Sequence, residues 1–275
     1  MAEAKHGLLR RAYEKFFLNT VAGILRRDPA AMFYMLSFAV KKEVSDFYTD
    51  FYIRQYRHIE AAIQLAQRMK LNQSANELIL DIGGGNGETA MMFSAAFPQT
   101  QIMILEPVKK NQESITPLLG AHPNLVLIPK AAGSQASTQK IFIGRNKHTS
   151  SFYEMESDRE SKLFSHAIEI TESEEVEVIR LDELVSPAQS ISIMKMDIQG
   201  SELEALKGAA GILKRTSVIV LEVNNHDHYK GAPKYNEIDS YLCDQGFELF
   251  DILPSTYDNG KLKEWDVIYR KMEVQ

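Results

Sequence analysis

A run of glycines directly after an apolar segment is the strongest candidate for a binding site in this sequence. Residues 78–82 read Leu-Ile-Leu-Asp-Ile, and Gly83, Gly85 and Gly87 alternate in the loop that follows them. Glycine tolerates positive φ and lets the backbone approach a ligand closely. A helix that begins after the loop presents unpaired N–H groups. The pattern predicts a nucleotide-type ligand at the carboxyl end of a parallel strand.

The spacing of the glycines and the nearby acids narrow the choice of ligand. The dinucleotide pattern Gly-x-Gly-x-x-Gly requires glycine where this chain has Glu88, and a phosphate-binding loop requires Gly-Lys-Ser/Thr. A carboxylate at the start of a helix also repels a pyrophosphate. Asp81 and Glu88 favour a cationic or zwitterionic ligand. S-adenosylmethionine, which carries a sulfonium and an ammonium group, is such a ligand.

A second acid follows the next apolar segment. Residues 101–105 are followed by Glu106 and Pro107, about 20 residues after the glycine loop, where an acid can accept both hydrogen bonds of a ribose diol. Ala131 and Ala132, after the third apolar segment, leave room for a flat adenine. These motifs predict a cofactor site formed by Asp81, Gly83, Gly85, Gly87, Glu106, Pro107, Ala131, Ala132 and Asp197.

Regularly alternating strands and helices surround these motifs from residue 78 onward. Strands are predicted at 78–82, 101–105, 124–129, 191–197 and 217–223, and helices at 87–97, 108–119, 201–214 and 235–245. The alternation predicts parallel strands with right-handed crossovers. Strands at 247–253 and 265–270, joined by a loop alone, predict an antiparallel hairpin that closes the sheet. The irregular insert 130–190 contains short strands at 138–143 and 175–180.

The first 76 residues have apolar side chains at helical spacing and no clear strand pattern. We predict a helical extension over 1–76, serving as a cap, a lid or an oligomer contact, and a separate α/β domain over 77–275.

Overall composition limits the class of protein. The net charge is −6 and the hydrophobic content 44%, which indicates a globular protein with no nucleic-acid partner. No run reaches the roughly 18 apolar residues of a membrane span, and no signal peptide is recognised, so a cytoplasmic location is expected. Cys243 and Trp265 are both expected in the core.

The end of the fourth predicted strand carries the main candidate for catalysis. Asp197 shares the sheet edge with Gly83 and Glu106, where it could orient an acceptor, act as a base or bind a divalent cation; alternatively it caps a helix. His226 is the preferred histidine base. Lys195 is expected to point to the opposite face. A Mg²⁺ site would use Asp197, Glu222 and Asn224.

Residues 193–209, Ile-Met-Lys-Met-Asp-Ile-Gln-Gly-Ser-Glu-Leu-Glu-Ala-Leu-Lys-Gly-Ala, resemble the FkbM family of methyltransferases. The resemblance extends over about 78–253 through Leu105-Glu106-Pro107, Ala131-Ala132-Gly133, Ser150-Ser151, Leu181-Asp182-Glu183-Leu184, Leu221-Glu222 and Gly246-Phe247. It implies a Rossmann-like class I fold with a mostly parallel seven-stranded sheet and S-adenosylmethionine as cofactor.

The family resemblance also implies O-methylation of a hydroxyl on a sugar, polyketide or related small metabolite. The chain departs from the family pattern at the first loop, where the family has Gly-Ala-Asn-x-Gly, and at Gln199, where the family prefers an acid. Three alternatives stay open at this point: an amine acceptor, a lipid-linked sugar acceptor, and a module that binds the cofactor without turnover. The glycine spacing disfavours an NAD-dependent oxidoreductase.

Overall fold

The computed structural model describes residues 46–72, 74–144, 150–153, 170–224, 231–258 and 261–272. Of residues 46–55, 254–258 and 261 it describes the backbone alone. The chain divides into two compact units, Met1–Ile53 and Arg54–Gln275, and both sheets lie in the second.

A seven-stranded sheet forms the centre of the second unit. Its strands, in chain order, are β1 (Glu77–Ile82), β2 (Gln101–Leu105), β3 (Leu125–Ile128), β7 (Ser190–Met196), β8 (Thr216–Asn224), β9 (Phe247–Asp258) and β10 (Lys261–Lys271). The spatial order is β3-β2-β1-β7-β8-β10-β9. In this sheet the five neighbouring strands β3, β2, β1, β7 and β8 are parallel to one another. This arrangement confirms the predicted Rossmann-like class I fold.

The predicted hairpin closes the sheet as expected. Strand β10 lies antiparallel between β8 and β9, and β9 forms the outer edge. Asp266 of β10 is directly opposite Glu222 of β8, so these two acids are neighbours across the strands. The hairpin therefore brings its own charged residues toward the end of β8.

The helices are α1 (Asp46–Arg68), α2 (Glu88–Ala96), α3 (Lys109–Ala121), α4 (Leu181–Leu184), α5 (Glu202–Lys207) and α6 (Tyr235–Asp244). The single helix predicted over 201–214 is wrong, because α5 ends at Lys207 and a 3₁₀ turn follows at Ile212–Arg215. A Cβ at Gly208 would lie 2.0 Å from the carbonyl oxygen of Gly133, so glycine at the end of α5 permits a close approach of two backbone segments.

A second, three-stranded sheet occupies the insert. It consists of β4 (Ala131–Ala132), β5 (Ser137–Gly144) and β6 (Ile170–Ile179), in the order β4-β6-β5. Ser151 exchanges two backbone hydrogen bonds with Phe142 of β5, at 2.8 and 3.0 Å. Segment 150–153 is thereby fixed to the insert sheet.

The described N-terminal residues form one helix. Helix α1 packs through a single apolar face formed by Ile59, Ala62, Ile63, Leu65 and Ala66. Residues 1–45 lie outside the described ranges, so the domain boundary at 76 and the role of the extension stay predictions. Within the parts of the chain listed above, no helix is both long and apolar enough to cross a membrane.

Two residues expected in the core have different environments. Trp265 is 7% exposed and packs edge-on against Tyr235, with ring centres 5.3 Å apart, which confirms its assignment. The prediction for Cys243 is wrong because its side chain is exposed. On α6 the buried face is formed by Ile238 and Leu242, and the next residue is turned about 100° away from it.

Candidate functional site

A cavity opens at the carboxyl ends of β1, β2 and β7. Seven of the nine residues predicted to bind the cofactor line it, namely Gly83, Gly85, Glu106, Pro107, Ala131, Ala132 and Asp197. The sheet topology therefore brings together motifs that are far apart in sequence. The other two, Asp81 and Gly87, lie outside the lining.

The glycine loop is held in close contact with the backbone after β7. Gly83 has φ 80°, and a Cβ at this position would lie 2.0 Å from the carbonyl oxygen of Asp197. Gly87 has φ 85° and is the N-cap of α2, where an added Cβ would meet Leu118 at 2.8 Å. Gly83 thus permits the approach of two loops, and Gly87 permits the turn into the helix.

Glu106 is buried at the end of β2 with both oxygens directed at backbone amides. Its Oε2 accepts a hydrogen bond from the N–H of Gly85 over 2.8 Å, and its Oε1 accepts one from Val108 over 2.8 Å. Burial raises the pKa of Glu106 to about 7, although the two amides oppose this shift. The carboxylate connects the glycine loop to β2 and can still accept further hydrogen bonds, since each oxygen has two lone pairs.

Asp81 is fully buried behind the glycine loop and pairs with Lys195. Lys195 Nζ lies 3.2 Å from Asp81 Oδ1 and donates a hydrogen bond to the carbonyl of Gly83 over 2.8 Å. Burial raises the pKa of Asp81, and Lys195 offsets part of that shift. Burial alone would lower the pKa of Lys195. The negative charges of Asp81 and Asp197 outweigh the effect of burial, so the pKa of Lys195 is raised.

The expectation that Lys195 points away from the site is wrong. Side chains two residues apart along a strand project to the same side, so Lys195 and Asp197 share a side and not opposite faces. The lysine supports the glycine loop from below, through its bond to the Gly83 carbonyl. Asp81 is the buried ion-pair partner of Lys195 and does not line the cavity.

Asp197 follows β7, lines the cavity and is linked to the end of β8. Gln199 Nε2 donates hydrogen bonds to Asp197 Oδ1 over 2.8 Å and to Glu222 Oε2 over 2.9 Å. The structure thus brings Asp197 and Glu222 together, while Asn224 is the last residue of β8. His226 lies outside the described residues.

The alternative role of Asp197 as a helix cap does not match its position. Helix α5 begins at Glu202, and its N-cap residue is Ser201. The Glu202 carboxylate accepts hydrogen bonds from the N–H groups of Ile198 and Gly200, both over 3.0 Å. Burial raises the pKa of Glu202 to about 7. The loop is thus ordered by Glu202, which leaves Asp197 on the cavity wall.

The magnesium hypothesis gains no support from this arrangement. The Gln199 amide nitrogen lies between the Asp197 and Glu222 carboxylates, the position that a bridging cation would take. Across the described ranges, no group of three or more acidic, histidine or cysteine residues is arranged to hold a metal ion.

Several lining residues were not singled out from the sequence. They are Asn111 at the start of α3, Ile141 of β5, Phe152 of the insert and Ser201 before α5. Ile141 and Phe152 come from the insert, whose pairing was not predictable from local pattern. Asn111 had a usable signal, because it lies in the first turn of the helix that follows Glu106-Pro107.

A comparison with known protein families agrees with the sequence motifs. The family described as Methyltransferase FkbM domain matches residues 81–249. A methyltransferase FkbM from Methylobacillus flagellatus KT has a similar structure, with a TM-score of 0.47 and 16% identity over 90% of this chain. The chain spans about 60% of the length of that protein. No curated protein matches the chain.

Two further solved structures were found to be similar to the chain. Magnesium protoporphyrin IX methyltransferase from Synechocystis PCC 6803, with bound S-adenosylmethionine, has a TM-score of 0.44 and 10% identity over 84% of this chain and 86% of its own. Fibrillarin from Aeropyrum pernix, also with S-adenosylmethionine, has a TM-score of 0.42 and 14% identity over 78% and 76%.

Proposed function

The chain belongs to the FkbM family of S-adenosylmethionine-dependent methyltransferases, and on that premise we propose that it methylates a hydroxyl group of a small acceptor such as a sugar or a polyketide. The family match covers more than half of the sequence. The observation that supports the proposal is that the glycine loop, Glu106 and Asp197 line one cavity.

The residues that line the cavity fit the cofactor. Glu106 offers a carboxylate for a ribose diol, and Pro107, Ala131 and Ala132 offer small, flat walls for an adenine. Ser201 Oγ is buried and has no hydrogen-bond partner within the described ranges. A buried hydroxyl is rarely left unpaired, so it suits a polar ligand group. When bound, S-adenosylmethionine supplies a methyl group activated by its sulfonium.

The protein's own residues then have two tasks at the acceptor. The hydroxyl must be aligned, which contributes much of the rate in a displacement reaction, and its proton must be removed. We propose that Asp197 does both, because its carboxylate lines the cavity beside the glycine loop. His226 is the alternative base.

Carboxylates gather behind Asp197 and favour a positively charged acceptor as a second candidate. Burial, together with Asp197, Glu264 and Asp266, raises the pKa of Glu222 well above its usual range. His58 Nδ1 lies 3.1 Å from the Asp266 carboxylate. A negative potential of this kind attracts an ammonium group. An amino sugar, methylated on oxygen or on nitrogen, fits this arrangement.

Replacing Glu106 with glutamine is expected to weaken the binding of S-adenosylhomocysteine about 10- to 100-fold. The variant keeps the shape of the side chain but loses one charge-assisted acceptor, and such a hydrogen bond contributes about 1.5–3 kcal/mol. Isothermal calorimetry measures the change. Glu113→Gln, which alters an exposed acid on α3, should bind like the wild type. Equal affinities for all three proteins would remove Glu106 from the cofactor site.

The same carboxylate makes cofactor binding dependent on pH. The pKa of Glu106 is about 7 in the folded protein, and the ionised carboxylate is a stronger acceptor for a ribose diol than the protonated acid. Affinity for S-adenosylhomocysteine should be close to full near pH 8, fall to about half at pH 7 and approach a tenfold loss for each unit well below that. Titrations between about pH 5.5 and 8 should give this slope for the wild type and a flat line for Glu106→Gln. A flat wild-type profile would contradict the assignment.

Product analysis tests the proposed reaction. Purified protein is first titrated with S-adenosylmethionine and S-adenosylhomocysteine, and a panel of sugars, amino sugars and polyketides is then incubated with methyl-labelled cofactor. Mass spectrometry and NMR identify the methylated atom. We expect an O-methyl product. An N-methyl product would favour the second candidate, and tight cofactor binding with no product from any acceptor would favour a module without turnover.

A further inference from the structure

The loop between β7 and α5 contains a glutamine whose side chain joins two carboxylates. Gln199 Nε2 is 2.8 Å from Asp197 Oδ1 and 2.9 Å from Glu222 Oε2, and it donates a hydrogen bond to each. Asp197 follows β7 and Glu222 lies on β8, the neighbouring parallel strand, so the two carboxyl groups would repel one another if both were ionised. The amide supplies a donor to both and reduces this repulsion.

The backbone of Gln199 is fixed in an unusual conformation. Its φ is 52°, in the left-handed region that residues other than glycine seldom adopt. Ser151 Oγ donates a hydrogen bond to its carbonyl over 2.7 Å, and Glu202 accepts one from the next residue, Gly200, over 3.0 Å. Such conformations are kept where surrounding contacts impose them, and they cluster at functional sites.

A donor at this position is matched to its surroundings. The carboxyl group of Glu222 also faces Glu264, Asp266 and Glu202, whose negative charges raise its pKa further. An acid at residue 199 would place a third carboxylate between the first two and would need a proton or a cation to stay there. The amide needs neither, and it is covalently part of the protein.

We propose that Gln199 is a positioning residue whose amide occupies the place of a bridging cation between Asp197 and Glu222 and holds the Asp197 carboxylate toward the acceptor. The inference rests on the proposed methyl transfer, because it concerns how the acceptor hydroxyl loses its proton. It follows that Asp197 takes the proton of the acceptor hydroxyl without the help of a divalent cation. This independence from a metal ion is due to the side chain of Gln199.

Metal binding tests the proposal without any acceptor. Gln199→Glu creates a cluster of three carboxylates, a set of oxygen ligands that suits Mn²⁺. Loss of the free-ion signal in electron paramagnetic resonance should show at least ~10-fold tighter Mn²⁺ binding to this variant than to the wild type. The further change Asp197→Asn should abolish that gain. Equal Mn²⁺ affinity of wild type and Gln199→Glu, whether weak or tight, would overturn the proposal.

A matched control accompanies this measurement. Gln139 is exposed on β5, and its amide donates to Ser137, so Gln139→Glu introduces the same charge outside the site. It should bind Mn²⁺ like the wild type. Tighter binding by this control to the same degree as Gln199→Glu would mean that added charge alone attracts the ion, which contradicts a defined bridging position.

Kinetics test the positioning role once an acceptor is in hand. Gln199→Met keeps the length of the side chain and removes the donor, so kcat should fall ~10-fold or more while the Kd for S-adenosylhomocysteine stays within ~2-fold. The wild type should keep its rate in EDTA, and Mg²⁺ should restore activity to Gln199→Glu. EDTA inactivation of the wild type that Mg²⁺ reverses, or an unchanged kcat in Gln199→Met, would refute the proposal.

The two proposals fail in different ways. If no hydroxyl compound is methylated, the proposed function is wrong, and the Mn²⁺ comparison still reports on the place of the amide. If methylation occurs but Gln199→Glu gains no Mn²⁺ affinity, the function stands and the positioning role is lost. Should Gln199→Met not fold, the closely isosteric Gln199→Glu, with and without Mg²⁺, provides the kinetic comparison.

Discussion

Replacing Lys195 with methionine is expected to lower the free energy of unfolding by about 3–5 kcal/mol, the usual effect of leaving a buried charge without its partner. Asp81 is fully buried and lies 3.2 Å from the Lys195 ammonium, which also bonds the Gly83 carbonyl. Methionine fills a similar volume but offers no charge and no donor. Urea denaturation of the cofactor-free protein, followed by circular dichroism, measures the difference.

The pH dependence identifies the cause of that loss. Burial raises the pKa of Asp81 in the folded protein, so the deficit should be smallest at low pH and grow as the pH rises through that raised value. Lys110→Met, on the exposed face of α3, should leave stability unchanged. Adding Asp81→Asn to Lys195→Met should recover a large part of the loss. A deficit under about 1 kcal/mol would mean that the pair is not a structural requirement.

Replacing Asp197 with asparagine should have the largest effect on turnover. Removal of a general base costs about 10²- to 10⁴-fold in rate, and the asparagine carbonyl can still accept the bond from Gln199. The Kd for S-adenosylhomocysteine should change by less than about threefold, because the sheet and the glycine loop stay intact. Steady-state rates with the identified acceptor, together with calorimetry, separate the two effects.

The outcome for Asp197→Asn also decides between bases. Asp244→Asn, an exposed change on α6, should turn over like the wild type. If Asp197→Asn turns over at the wild-type rate, another group must accept the proton from the acceptor hydroxyl. His226→Gln would then be the next variant to measure. A loss of cofactor affinity as large as the loss of kcat would indicate a structural role for the carboxylate.

The parallel strands could be predicted closely from the sequence because each is a short apolar run bounded by loops. Strand β2 has the predicted bounds, and β1, β3, β7 and β8 differ from the prediction by one residue at one or both ends. Strand β6 was predicted at 175–180 but begins at Ile170, because its first half is polar. That half is held by pairing with β5, which local sequence does not reveal.

The residues of the candidate site that follow strands could be predicted from the sequence. The side-chain contacts between separate loops of the site could not. Glu106 and Asp197 follow strands, so the topology of parallel sheets brings them to one edge. The Gln199 contact with Glu222 depends on a left-handed backbone at a non-glycine residue, which no sequence pattern indicates. The prediction that Lys195 points to the opposite face was wrong because side chains alternate sides with every residue along a strand. Lys195 and Asp197 are two residues apart and therefore project to the same side.

The contact between Gly83 and the Asp197 carbonyl has a consequence for redesign of the enzyme. Any side chain at residue 83 would push the glycine loop away from the loop after β7, so variation there would disturb both the proposed cofactor site and the proposed acceptor site. Phe152, by contrast, lines the cavity from a segment that pairs with the separate insert sheet, while Ser151 of that segment holds the Gln199 carbonyl and should be retained. New acceptor preferences should therefore evolve, or be selected in the laboratory, through the insert, while the glycine loop is retained.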